Sequence, residues 1–142
     1  MINIDKTPVP QGKYLAAVRH ANIVYTSGMT PRKAGKLMYT GKIKTTDTLE
    51  SHRDAAELAV LNALGAAQNC LIAGERISVV LQMSVFLNAE ENFTKHAKLA
   101  DFASEILISF LGIKSIGTRA AIGVASLPSN APIEITLVCK VD

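Results

Sequence analysis

Two stretches of this chain alternate apolar and polar positions, and two others repeat apolar residues at helical spacing. "ISVVLQMSVFL", Ile77 to Leu87, predicts a long strand, with Ile77, Val79, Leu81, Met83, Val85 and Leu87 on one face. Ser78, Val80, Gln82, Ser84 and Phe86 fall on the other. The C-terminal strand has the same two-faced pattern. Ile133, Ile135, Leu137, Cys139 and Val141 point one way, and Glu134, Thr136, Val138 and Lys140 the other. In the strand before it, Arg119 shares a face with Ala121, Gly123 and Ala125. Near the start, Ala16–Arg19 and Asn22–Ser27 predict a hairpin around His20–Asn22, ending at Gly28. Pro31 to Gly35 reads as a loop, and "KLMYTG" as a short strand.

The first helix is predicted from Leu49, Ala56, Val60, Ala63, Ala67 and Leu71, with Asp47 and Glu50 as a capping box and Gly74 as its stop. The second rests on Phe93, Ala97, Ala100, Ala103, Leu107 and Phe110, with Asn88 and Glu91 as its start signal and Gly112 as its end. One sheet face is strongly apolar and is expected to carry both helices, which makes the chain α+β: a mixed β-sheet with two helices packed on one face. The other face mixes Gln82, Ser84, Phe86, Thr136 and Val138. Such a face suits a subunit interface better than bare water.

The 142 residues favour one domain, spanning 1–142, and no internal repeat or linker divides them. Apolar residues make up 49% and charged residues 19%, the balance of a globular protein. No run approaches a bilayer span, and "MINIDKTPVPQGKY" has no apolar signal core, so the expected location is the cytoplasm with no membrane partner. Cys70 and Cys139 fit that reducing setting as packing residues. The net charge is +3, and part of the excess lies in the basic segment 32–44, with Arg32, Lys33, Lys36, Lys42 and Lys44. Without interleaved stacking aromatics beyond Tyr39, it reads as a solvated loop, and nucleic acid is not an expected partner.

Metal chemistry has little support: His20, His52 and His96 are scattered, with no ligand pair at metal-binding spacing. There is no G-x-S-x-G elbow, no G-x-G-x-x-G and no phosphate loop. What stands out is a nearly apolar segment, "GTRAAIGVASLPSNAPIEI", that contains Arg119 and Glu134. An arginine fork can hold a small carboxylate through two parallel hydrogen bonds. A glutamate can take a proton from an attacking water. The same two residues could equally form an ordinary ion pair between neighbouring strands.

"VYTSGMTP", "LAVLNALGAAQ", "VVLQMSVFLNAEENF" and "TRAAIGVASLPSNAPIEITLV" resemble, in order and spacing, the RidA/YjgF family of reactive-intermediate deaminases, also called endoribonuclease L-PSP. The resemblance runs from about Tyr14 to Val141. It implies a chorismate mutase-like fold and a homotrimer with sites in the clefts between subunits. It implies hydrolysis of 2-imino or enamine acids, small carboxylate-bearing metabolites, to 2-keto acids and ammonia, without metal or cofactor. Arg119 and Glu134 become the catalytic pair, meeting in one cleft. Arg119, Tyr14, Ser27, Gly28, Phe86 and Ala121 become the substrate-binding set. Ala121 stands where active members commonly carry cysteine, Met29 follows the S-G turn, and "GKYLAA" replaces G-P-Y-S-Q, which suggests a divergent Rid subgroup. The alternatives are a trimeric protein that binds a small carboxylate without turnover, and an RNA-acting protein.

Overall fold

The alternating strands assemble side by side because only a sheet can satisfy their backbone groups while burying one face. The computed structural model describes Ile4 and residues 8–142, so the opening segment read for a signal core lies partly outside the described residues. The elements are β1 (Ala17–His20), β2 (Ile23–Thr26), β3 (Arg32–Lys33), β4 (Lys36–Leu37), α1 (Arg53–Gln68), β5 (Ile77–Asn88), α2 (His96–Leu111), β6 (Ile116–Val124) and β7 (Ile133–Val141). The main sheet runs β1-β2-β7-β5-β6, with β5 and β6 parallel and the remaining pairs antiparallel. It is mixed, and both helices lie on one face, as expected from the pattern.

That face is closed by Val24, Val80, Met83, Val85, Leu87, Ile133, Ile135, Leu137 and Cys139, all buried. Helix α1 fits closely against them because its inner positions are small: Ala56, Ala59, Ala63 and Ala67 are fully buried. Leu64 beside them is also inaccessible, and truncating such a leucine to alanine costs about 2–5 kcal/mol. Burial pushes the Cys139 thiol up to about 12, which suits packing and not nucleophilic attack.

Several local expectations are corrected. Asp47 does not cap α1. Its Oδ2 accepts the Lys44 N–H and sits 2.9 Å from His52 Nε2, while a single 3₁₀ turn, Leu49–His52, leads into the helix. Helix α1 ends at Gln68, well before Gly74, whose φ of 88° serves the turn into β5. Asn88 ends β5 instead of starting α2; its buried amide donates to the Ala131 carbonyl. The α2 stripe is Leu99, Ala100, Ala103, Ile106 and Leu107, with Ala97 and Phe110 exposed. Gly112, at φ 92°, does close it. The strict alternation of β5 slips at register shifts near Val79–Leu81, so Val80 is buried and Leu81 exposed. The loop expected from Pro31 to Gly35 is a tight hairpin, with Ala34 and Gly35 both at positive φ between β3 and β4.

Among the described residues no helix covers the second sheet face. Val18, Tyr25, Val138 and Gln82 form one rung across it, and Glu134, Phe86 and Ile122 another. Val18, Tyr25 and Ile122 are each exposed.

Candidate functional site

Glu134 alternates onto the uncovered face, between buried Ile133 and Ile135, and is itself half-buried. A bulge shapes its surroundings. Strand β2 pairs with β7 up to Tyr25–Val138, and the next bridge is Met29–Ile135, which leaves one extra residue on the Thr26–Gly28 side. Thr26 Oγ1 fills the gap by accepting the Leu137 N–H at 2.9 Å. The detour lays Gly28 directly on the Glu134 side chain; a Cβ at Gly28 would meet Glu134 Cδ at 2.6 Å. A side chain at position 28 would displace the carboxylate. Glycine is therefore needed here for close approach, not for backbone freedom.

A cavity of about 220 Å³ opens beside this contact, lined by Glu134, Gly28, Tyr14, Thr30 and Arg32 among others. The exposed Tyr14 ring is held by its hydroxyl, which accepts the Gln11 N–H at 3.0 Å. Ser27, next to Gly28 in the chain, does not line the cavity, and its hydroxyl is committed, donating to the Leu15 carbonyl at 2.6 Å. Phe86 is the direct cross-strand neighbour of Glu134. Glu134 makes no ion pair among the described residues, and burial raises its carboxyl above its ordinary 4.5.

Arg119 is elsewhere. Its register partner is Met83, a helix-face residue, so it projects toward α2. Its Nη1 donates to Asp101 Oδ1 at 2.7 Å and to Ser104 Oγ at 3.0 Å, and its Nη2 donates to the Ala97 carbonyl at 3.1 Å. Ala121 follows on the same side, opposite Val85. Within one chain, then, Tyr14, Gly28 and Glu134 come together, with Phe86 beside them, and Arg119 and Ala121 do not join them. Within a single subunit Arg119 and Glu134 lie on opposite sides of the sheet, because alternate residues of paired strands face opposite ways, and the expected meeting is one between subunits.

Two residues of the cavity were missed in the sequence. Arg32 was counted with the solvated basic segment, yet its Nη1 donates to the Gly35 carbonyl at 2.9 Å and its Nη2 approaches Ser129 Oγ at 3.4 Å. Lys42 of the same segment is also committed, to Asn88 Oδ1 and the Ala125 carbonyl. Asn62, buried in the alanine-rich helix, donates to the Thr30 and Arg32 carbonyls at 3.0 and 2.8 Å. A lone asparagine inside "ELAVLNALGAAQ" was the available signal.

The sequence profile described as Endoribonuclease L-PSP matches residues 4–141. The chain belongs to the RidA/YjgF family. It is 28% identical to a 2-iminobutanoate/2-iminopropanoate deaminase of Dermatophagoides farinae, over all of this chain and 96% of that one. Among solved structures it resembles the Agrobacterium tumefaciens protein Atu1372, of unknown function, at 31% identity and TM-score 0.81, covering 92% of this chain and 82% of that one. The Escherichia coli YjgF gene product shares the fold at 19% identity and TM-score 0.70, over 96% and 94% of the two chains. This chain therefore has the YjgF fold.

Proposed function

We propose that the protein is a cofactor-free hydrolase of reactive 2-imino acids, working as a homotrimer whose clefts join two subunits. The observation that carries this is Glu134: a half-buried carboxylate with no paired cation among the described residues, wedged against glycine in an open cavity. A structural glutamate would be expected to find a cation or to point into water. One kept desolvated and accessible, its carboxyl raised above the ordinary value, is suited to accept a proton. The similarity to an imine deaminase supports the same reaction.

In this reading Arg119 serves the Glu134 cavity of a neighbouring copy. It lies on β6, one of the two edge strands of the sheet, where a second subunit can approach. The apolar residues of the uncovered face, Val18, Tyr25 and Ile122, supply the burial that such an assembly needs. The Arg119 fork grips the substrate carboxylate and orients the imine carbon. Water held by Glu134 adds its oxygen to that carbon as its proton passes to the carboxylate. The C=N π pair moves to nitrogen, which picks up a proton. The carbinolamine then collapses: Glu134 takes the hydroxyl proton and passes a proton to the amino nitrogen, the C–N bond breaks with its pair going to nitrogen, and ammonia departs from a 2-keto acid with Glu134 again a carboxylate. The Gly28 N–H, which has no protein acceptor among the described residues, is available to the substrate.

Two measurements test this. Light scattering coupled to size exclusion is expected to give about three times the 15.2 kDa chain mass. Imines generated in place by an amino-acid oxidase are expected to disappear faster with the protein than without it. A monomer at micromolar concentration contradicts the shared cleft, and spontaneous rates on every imine contradict the reaction.

A further inference from the structure

The Glu134 cavity holds a second charge that the proposed hydrolysis of a simple imino acid does not use. Arg32 lines the same cavity of about 220 Å³. It forms no ion pair among the described residues. Its Nε is buried with no hydrogen-bond partner. A buried donor left unpaired is costly, and a charged one more so. Its two protein acceptors are neutral, and the one at 3.4 Å is long.

The surroundings hold this guanidinium in place rather than neutralise it. Asn62 spends its buried amide on the Thr30 and Arg32 carbonyls, which fixes the backbone from which the side chain leaves. Both acceptors belong to turns with residues in the left-handed region. Ala34 and Gly35 lie at φ 51° and 79°, and Ser129 at φ 55°. Left-handed backbone is disfavoured for alanine and serine, and such strain gathers where a site is being positioned. A buried asparagine and two neutral acceptors hold one arginine at a cavity that also contains one glutamate.

We propose that Arg32 receives a second acidic group of the substrate, so that the cavity takes the imine of an acidic amino acid: a 2-imino dicarboxylic acid and its 2-keto dicarboxylic product. This rests on the reading above, in which Arg119 of a neighbouring copy holds the carboxylate next to the reacting carbon. The distal carboxylate then pairs with the part of the Arg32 guanidinium that lines the cavity, the charged partner this side chain lacks among the described residues. Thr30 and Ser129, at the same wall, add neutral hydroxyls. The reaction that supplies this substrate is an oxidation or dehydration of an acidic amino acid or its hydroxylated relative, since those produce such imines.

Calorimetric titration of the wild-type assembly with oxaloacetate and with pyruvate tests the assignment through the ratio of their affinities. A charge-assisted contact at Arg32 gives oxaloacetate an advantage of about tenfold or more. Arg32→Gln is expected to bring that ratio close to one, and Arg32→Lys to leave it in between, because a point charge replaces the fork. Thermal melting of each variant identifies any that does not fold, and the lysine variant then carries the comparison. Equal affinity for the two acids in the wild type overturns the proposal. So does a ratio that survives Arg32→Gln, an equal loss for both acids, or no oxaloacetate binding at millimolar concentration. The readout is binding alone, so an absence of imine turnover contradicts the hydrolase reading and leaves this result interpretable.

Discussion

Gly28 is packed on the carboxylate of Glu134, so close that a methyl group at 28 would lie 2.6 Å from Cδ and 2.8 Å from Oε2. The atoms in the way belong to the end of a flexible side chain, not to backbone. Gly28→Ala is therefore expected to displace Glu134 and leave the fold standing, with a stability change under about 1 kcal/mol. A shift of this size at a reacting group costs on the order of 100-fold in rate. Turnover and melting temperature measured on the same preparation separate the two effects. A large loss of stability at unchanged turnover contradicts the relationship.

The raised carboxyl of Glu134 also has a consequence for stability. The folded chain binds its proton more tightly than the unfolded chain, whose value is the ordinary 4.5. Stability from this group is then full below that value and falls as pH rises through the higher folded value. Glu134→Gln removes the ionisation. The variant is expected to melt above wild type at about pH 7.5 and to lose that advantage by about pH 4. Paired melting curves at the two pH values check the sign.

Arg19 and Glu75 behave in the opposite sense. Arg19 Nη1 and Nη2 donate to Glu75 Oε2 and Oε1 at 2.6 and 2.8 Å, tying β1 to the turn before β5. With the Ile72 N–H as a further donor, this holds the Glu75 carboxyl down at about 2. The stabilisation is present above the ordinary 4.5 and is lost as pH falls from there toward 2. Glu75→Gln is expected to be less stable than wild type at neutral pH and to converge with it in acid. Melting curves between about pH 2 and pH 7 follow the convergence.

Arg119 reaches Asp101 in a partly exposed ion pair, which places it among contacts of small value to stability. Arg119→Lys is expected to change stability by less than about 1 kcal/mol. Its effect belongs in ligand affinity: pyruvate binding is expected to weaken by about 1–3 kcal/mol, because the ammonium cannot reproduce a two-pronged contact. Unchanged affinity in calorimetry removes Arg119 from the site.

Much of this was legible in the sequence. Period-two alternation placed Glu134 away from the helix-packed face, and the alanine stripe marked α1. Which residues share a face with Arg119 was also legible, but not which side of the sheet that face takes: β6 runs parallel to β5 and pairs Arg119 with Met83, which turns it toward α2. Register between strands far apart in sequence is not written in either strand alone. The bulge that sets Gly28 on Glu134 depends on a mismatch between β2 and β7, invisible for the same reason. Arg32 was hidden by company, one cation among several in a basic segment. Only the fold separates it from Lys33 and Lys36, which remain exposed.

The central claim is that Glu134 takes the proton of the attacking water. It is tested most directly by the rate at which wild type and Glu134→Gln consume an imine formed in place by an amino-acid oxidase, at matched protein concentration. Glutamine keeps the shape and some hydrogen bonding but cannot accept the proton. A general base contributes about 10²–10⁴-fold, so the account predicts a drop of that size with assembly and keto-acid binding nearly intact. Turnover by the glutamine variant within about twofold of wild type would contradict it.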